Sequence, residues 1–143
     1  MKQEGKTLAE LTVVIAIIGM VVAMAVPNYF VFISRNQIRC ATEEIASELR
    51  LARQLAMTYQ DRVRIVVDLD QQTLTTQFIN TATTHHAYHY GAKGIVIGEP
   101  SAGPEILFHP SGRSASATTI QLHSREGQTE RLTVSITGRI SIL

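Results

Sequence analysis

The chain has 143 residues, of which 45% are hydrophobic and 17% charged, and its formal net charge at pH 7 is +1. Thirteen Lys/Arg against twelve Asp/Glu exclude a strongly basic nucleic-acid surface built on bulk charge. The single cysteine, Cys40, excludes an internal disulfide, so packing must hold the fold, and its thiol is expected to be buried, as free cysteines usually are.

The first informative feature lies at the N-terminus. Gly5-Lys6-Thr7-Leu8-Ala9-Glu10 precedes an apolar run, Leu11 to Ile33, that contains no charged side chain. A secretory signal places its small-residue cleavage site after the apolar region. Here Gly5 stands before it, so a cut after Gly5 removes a short leader, residues 1–5, and leaves the apolar segment on the product. Runs of 18 or more apolar residues read as membrane spans, which assigns residues 6–33 to a transmembrane segment. Glu10 heads that segment. A centrally placed Asp costs about 2.5–3.5 kcal/mol on insertion scales, and such a group calls for a partner. An ordinary anchor needs no acid there, and it usually has more positive flanking charge than Lys2 and Lys6 supply.

Helical periodicity continues beyond the span. Ile38, Ala41, Ile45, Leu49, Ala52, Leu55 or Ala56, and Tyr59 recur at three- and four-residue steps and predict an apolar stripe. Arg39 and Glu43 are spaced for an i,i+4 pair. One helix is expected from about Thr7 to Tyr59, roughly 75–80 Å long at the usual rise, with a kink or local melting at Pro27.

After Tyr59 the period changes to two. Strands are predicted at Val63–Val67, Thr73–Ile79, Gly94–Ile97, Glu105–His109, Thr118–Ser124, Arg131–Ile136 and Arg139–Leu143, with Asn80–Tyr90 as a polar loop. Pro100, Gly103-Pro104, Pro110-Ser111-Gly112, Glu126-Gly127 and Thr137-Gly138 mark turns. A long helix followed by six or seven short antiparallel strands is an α+β arrangement in which the helix covers one face of the sheets. Residues 34–143 then form a head domain that includes the second half of the helix. With Lys2, Lys6, Glu4 and Glu10 set aside, it keeps eleven basic and ten acidic residues.

Three constellations could carry chemistry. His85, His86 and His89 form an HHxxH cluster of common metal ligands, but no neighbouring carboxylate or Cys completes a site, and a polar surface loop is the plainer reading. Ser and His are numerous, yet no nucleophile elbow or phosphate loop surrounds them, so neither an enzyme nor a cofactor is expected. Arg113 and Arg139 each follow a glycine and are candidate phosphate contacts. The competing reading is that Gly138 serves a turn with positive φ and Arg139 is a solvated strand start.

The N-terminal pattern resembles that of type IV pilins and pseudopilins: Gly, an aromatic residue, Thr, Leu, any residue, Glu, then about twenty apolar residues. Gly5, Thr7, Leu8 and Glu10 match. Pro27 matches too, at the twenty-second position counted from Lys6. Lys6 departs from the pattern, because the family usually carries Phe there. Phe108-His109-Pro110-Ser111-Gly112-Arg113, Leu132 to Ile140, and Leu49 to Ala56 are similar to the H-type minor pseudopilins of type II secretion, and equally to the T-type minor pilins of type IV pili. The resemblance implies cleavage after Gly5 by the prepilin peptidase and N-methylation of Lys6. It implies assembly with other pilins or pseudopilins through the N-terminal helix, with Glu10 meeting the N-terminal amine of the adjacent subunit. It further implies residence in the bacterial inner membrane with a periplasmic head. Two functions stay open: a structural subunit of the secretion pseudopilus, or a minor pilin acting in pilus assembly or DNA uptake. Some T-type pilins bind DNA through Gly-Arg-x-Arg; here Ser141 replaces the second Arg, which weakens that reading.

Overall fold

The computed structural model describes residues 4–124 and 127–143. Helix α1 spans Glu4–Tyr59. The helical assignment runs through Pro27 without a break, so the expected local melting does not occur. The chain divides into two units, one ending at Arg35 and the other covering Asn36–Leu143.

In the first unit, Leu8–Val26 is long and apolar enough to cross a membrane, and none of its 19 residues is buried. Exposure of Leu11, Ile15, Ile18 and Val22 in water would be unfavourable by about 1.5–3 kcal/mol per side chain. The segment is therefore built for lipid or for neighbouring chains.

In the second unit the helical stripe is buried. Ile38, Ala41, Ile45, Leu49, Ala52 and Ala56 are at most 2% exposed, and Ala46 joins them. Thr42 is buried in the same stripe, and its hydroxyl donates to the Ile38 carbonyl at 2.8 Å, which satisfies the polar atom inside the helix. The expected stripe ends early: Tyr59 is exposed and packs edge-on to Phe78 instead. Gln60, at φ 51°, terminates the helix, a left-handed C′ position usually taken by Gly.

Eight strands follow among the described residues: β1 Val63–Asp68, β2 Thr73–Phe78, β3 Thr84–His89, β4 Ile95–Ile97, β5 Glu105–Phe108, β6 Thr118–Ser124, β7 Thr129–Val134 and β8 Ile140–Ile142. They form two four-stranded antiparallel sheets, ordered β3-β2-β1-β5 and β4-β6-β7-β8. Alternation sets the faces. Val63, Ile65 and Val67 of β1 are buried while Arg64, Val66 and Asp68 are half-buried. Ile120 and Leu122 of β6 sit across from Leu132 and Glu130 of β7. One core joins the helix stripe to Val63, Ile65, Val67, Ile106 and Phe108 of the first sheet. From the second sheet it takes Ile95, Ile97, Ile120, Leu122, Leu132 and Val134.

Three sequence expectations are corrected. Residues 84–89 form a strand rather than a loop. Cys40 is exposed, since it lies off the buried stripe between Ile38 and Ala41. Glu43 pairs with Arg50, at 3.7 Å, rather than with Arg39; both side chains are solvated, so the pair is worth little. The turn proposed at Glu126-Gly127 lies partly outside the described residues, as does the leader at residues 1–3.

Candidate functional site

The N-terminal candidates occupy the opening turns of α1. Gly5 and Lys6 are helical, and Glu10 is exposed in the second turn, just inside the Leu8–Val26 span. Pro27 follows the last residue of that span within the same helix. The span has no charged side chain besides Glu10, so in an apolar medium the carboxylate would be its single strong electrostatic feature.

In the head, the two Gly-Arg turns come together. Gly112 closes one by donating its N–H to the His109 carbonyl at 2.8 Å, and Gly138 closes the other on the Ser135 carbonyl at 2.8 Å. Both glycines sit at φ 77°. Gly138 lies so close to the first turn that a Cβ would stand 2.0 Å from the Gly112 carbonyl oxygen. Arg53 of α1 donates from Nε to that same oxygen at 2.9 Å. The helix therefore grips the first turn, and the second turn stacks on it. The Ser114 N–H, donating to the Ile136 carbonyl at 3.0 Å, adds a further tie.

Arg113 and Arg139 leave these joined turns as exposed side chains. The Arg139 N–H donates to Ser135 Oγ at 3.1 Å. Ser141 pairs with Thr133 in β8–β7, on the face opposite the inward Ile140 and Ile142. The position that would carry a second Arg holds a short hydroxyl.

The three histidines of β3 do not converge. His85 stacks edge-on to Phe78 with ring centroids 6.0 Å apart, His86 lies 4.0 Å from Glu48 of α1, and His89 faces Thr73 across the β2 ladder. Alternation sends neighbouring strand residues to opposite faces, so the HHxxH spacing splits the cluster. Among the described residues, no three His, Cys, Asp or Glu side chains are grouped to hold a metal ion.

A clamp absent from the sequence reading joins α1 to β3. The Tyr88 hydroxyl and Lys93 Nζ both donate to Glu44 Oε2, and the Lys93 ammonium lies 5.8 Å from the Tyr88 ring centre. The hydrogen bond from Lys93, then that from Tyr88, holds Glu44 below the usual carboxylate range. Lys93 is raised by its bond to Glu44. Tyr88 is raised first by burial and then by the same carboxylate. No sequence signal marks these partners, which lie 44 and 49 residues apart. Arg53 was equally hidden, since its partner Gly112 is 59 residues away.

The family model described as type II transport protein GspH matches residues 41–138. Among solved structures, the fold is similar to the type IV minor pilin FimU of Pseudomonas aeruginosa, at 18% identity and a TM-score of 0.66, over 78% of this chain and 92% of that one. It is also similar to the minor pseudopilin EpsH from the type 2 secretion system of Vibrio cholerae, at 15% identity and a TM-score of 0.60, over 75% of this chain and 96% of that one. Compared with curated protein sequences, the chain has no significant match. The matched residues run from the buried helix stripe to the second Gly-Arg turn, and the chain belongs to the GspH family of type II transport proteins.

Proposed function

We infer that the chain is a minor pseudopilin, a structural subunit rather than a catalyst, which enters a type II secretion pseudopilus through its N-terminal helix. The observation that carries this is the direct continuity of an exposed apolar span with a head of the GspH family. Leu8–Val26 would first hold the subunit in the inner membrane, with the head in the periplasm, and then pack among the helices of neighbouring pilin-like subunits. Prepilin peptidase would cut after Gly5 and leave the amine of Lys6 as the new N-terminus, a substrate for methylation. Glu10 would meet such an amine on the adjacent subunit. An unpaired carboxylate costs several kcal/mol in apolar surroundings, and a paired one much less, so Glu10 would favour one axial stagger.

The test is incorporation. Glu10→Gln, co-expressed in competition with the unaltered chain, is expected to enter the assembled filament fraction several-fold less often while the melting temperature of the head stays unchanged. Equal incorporation would remove the pairing role.

A second reading, a minor subunit of a type IV pilus, is favoured by the similarity in fold to FimU. Neighbouring genes separate the two: a secretin with other secretion genes supports the first, and competence genes the second.

A further inference from the structure

The C-terminal end of α1 concentrates negative potential. Carbonyls at a helix C-terminus carry partial negative charge, and the last turn of α1 has no basic residue. Gln60 Nε2 donates to the Met57 carbonyl at 2.7 Å and covers one of these acceptors. Immediately beyond, Asp61 is only 8% exposed. Its Oδ1 accepts the Arg62 N–H at 2.6 Å, and no described Lys, Arg or His forms an ion pair with it. A carboxylate at the negative end of a helix, with no cation paired to it, is a ready acceptor for a cationic guest.

Asp61 lines a cavity of ≈ 360 Å³ together with Tyr59, Phe78, Thr81, Thr83 and His85. Three of these residues carry rings. Tyr59 and Phe78 have centroids 5.4 Å apart at 77°, and Phe78 and His85 6.0 Å apart at 84°. Successive rings stand nearly perpendicular, in edge-to-face contact, and all three line the cavity. Aromatic faces are electronegative and attract cations. Carboxylate, helix end and rings therefore select the same kind of guest. A planar guanidinium suits all three, because it stacks on rings and forks onto a carboxylate. The volume lies near the small end for ligand pockets, about 300–1,000 Å³, which fits a side chain better than a large cofactor.

We propose that this groove is a docking site for an arginine side chain presented by another protein chain. Asp61 receives the guanidinium, and Tyr59 and Phe78 provide the stacking surface. The site is built wholly from residues 59–85 and uses none of the Leu8–Val26 span, so the contact is separate from helix-mediated assembly.

The test follows the aromatic ring signals of the full chain in detergent micelles by NMR. N-acetyl-arginine amide is titrated in, and then its uncharged analogue N-acetyl-citrulline amide. Arginine is expected to shift the Tyr59, Phe78 and His85 rings saturably, with citrulline weaker by about fivefold or more. Asp61→Asn should weaken the arginine response by about tenfold. Should that variant fail to fold, Tyr59→Leu at the exposed ring decides the matter, with a several-fold weaker arginine response expected at Phe78 and His85. No saturable shift with arginine, equal responses to both amides, or an undiminished response in either folded variant overturns the proposal.

Discussion

Gly138 is the residue on which the head's family motifs turn. Its φ of 77° is strained for any L side chain, and a Cβ would stand 2.0 Å from the backbone oxygen of Gly112. That oxygen cannot move without releasing Arg53 Nε, its partner at 2.9 Å. Gly138→Ala is therefore expected to destabilise the chain by at least about 2 kcal/mol in denaturant unfolding. Gly103 makes the control: its φ is 95°, but nothing lies within 4 Å of a Cβ there. Gly103→Ala should cost only backbone strain, about 1 kcal/mol. Equal losses would show that the stacking of the two turns does not matter. Arg53→Ala, which strands the Gly112 carbonyl, should cost about 1.5–3 kcal/mol. The glycines were legible in the sequence as turn punctuation. Arg53 was not, because nothing local distinguishes a basic residue gripping a distant turn from one in solvent.

Strand β3 and its clamp show where elements escape a pattern reading. The strand lies at the sheet edge and is exposed at five of its six positions, so the inward–outward alternation that marks β1 never develops. Its register also shifts between Thr76 and Gln77 of β2. Glu44 holds the strand to α1 through Tyr88, and Lys93 braces the carboxylate. These are largely solvated groups, so Glu44→Gln should lower stability by no more than about 1 kcal/mol. The pH dependence has a definite sign. Glu44's folded-state value is depressed, so its contribution is present above the ordinary carboxylate range and fades as pH falls through the depressed value. Lys93's folded-state value is raised, so its contribution is present below the ordinary lysine range and fades as pH rises through the raised value. The stability difference between the native chain and Glu44→Gln should therefore stay flat from about pH 5 to 10 and shrink outside that window. Amide exchange should quicken in β3 and not in β1.

At the scale of the whole molecule, the division of labour between apolar helix and mixed head was readable from hydropathy and periodicity, because both repeat over many residues. The two-sheet arrangement was not, because it depends on pairings between strands far apart in the chain, such as Val63 of β1 with Phe108 of β5. Charge at this scale also bears on the DNA-uptake alternative. Residues 34–143 keep a net of +1, and Arg139 has no second Arg two residues on. Mobility shifts at physiological salt should therefore show duplex binding no tighter than about 10⁻⁴ M. A low-micromolar shift abolished by Arg139→Ala would favour DNA uptake. The assembly account itself stands on one covalent event, release of the leader with the apolar helix retained. Intact mass spectrometry of the chain extracted from membranes of a host with active prepilin peptidase reads it directly. The account predicts a mature chain beginning at Lys6, with or without one added methyl group; a mass that still includes Met1 to Gly5 would contradict it.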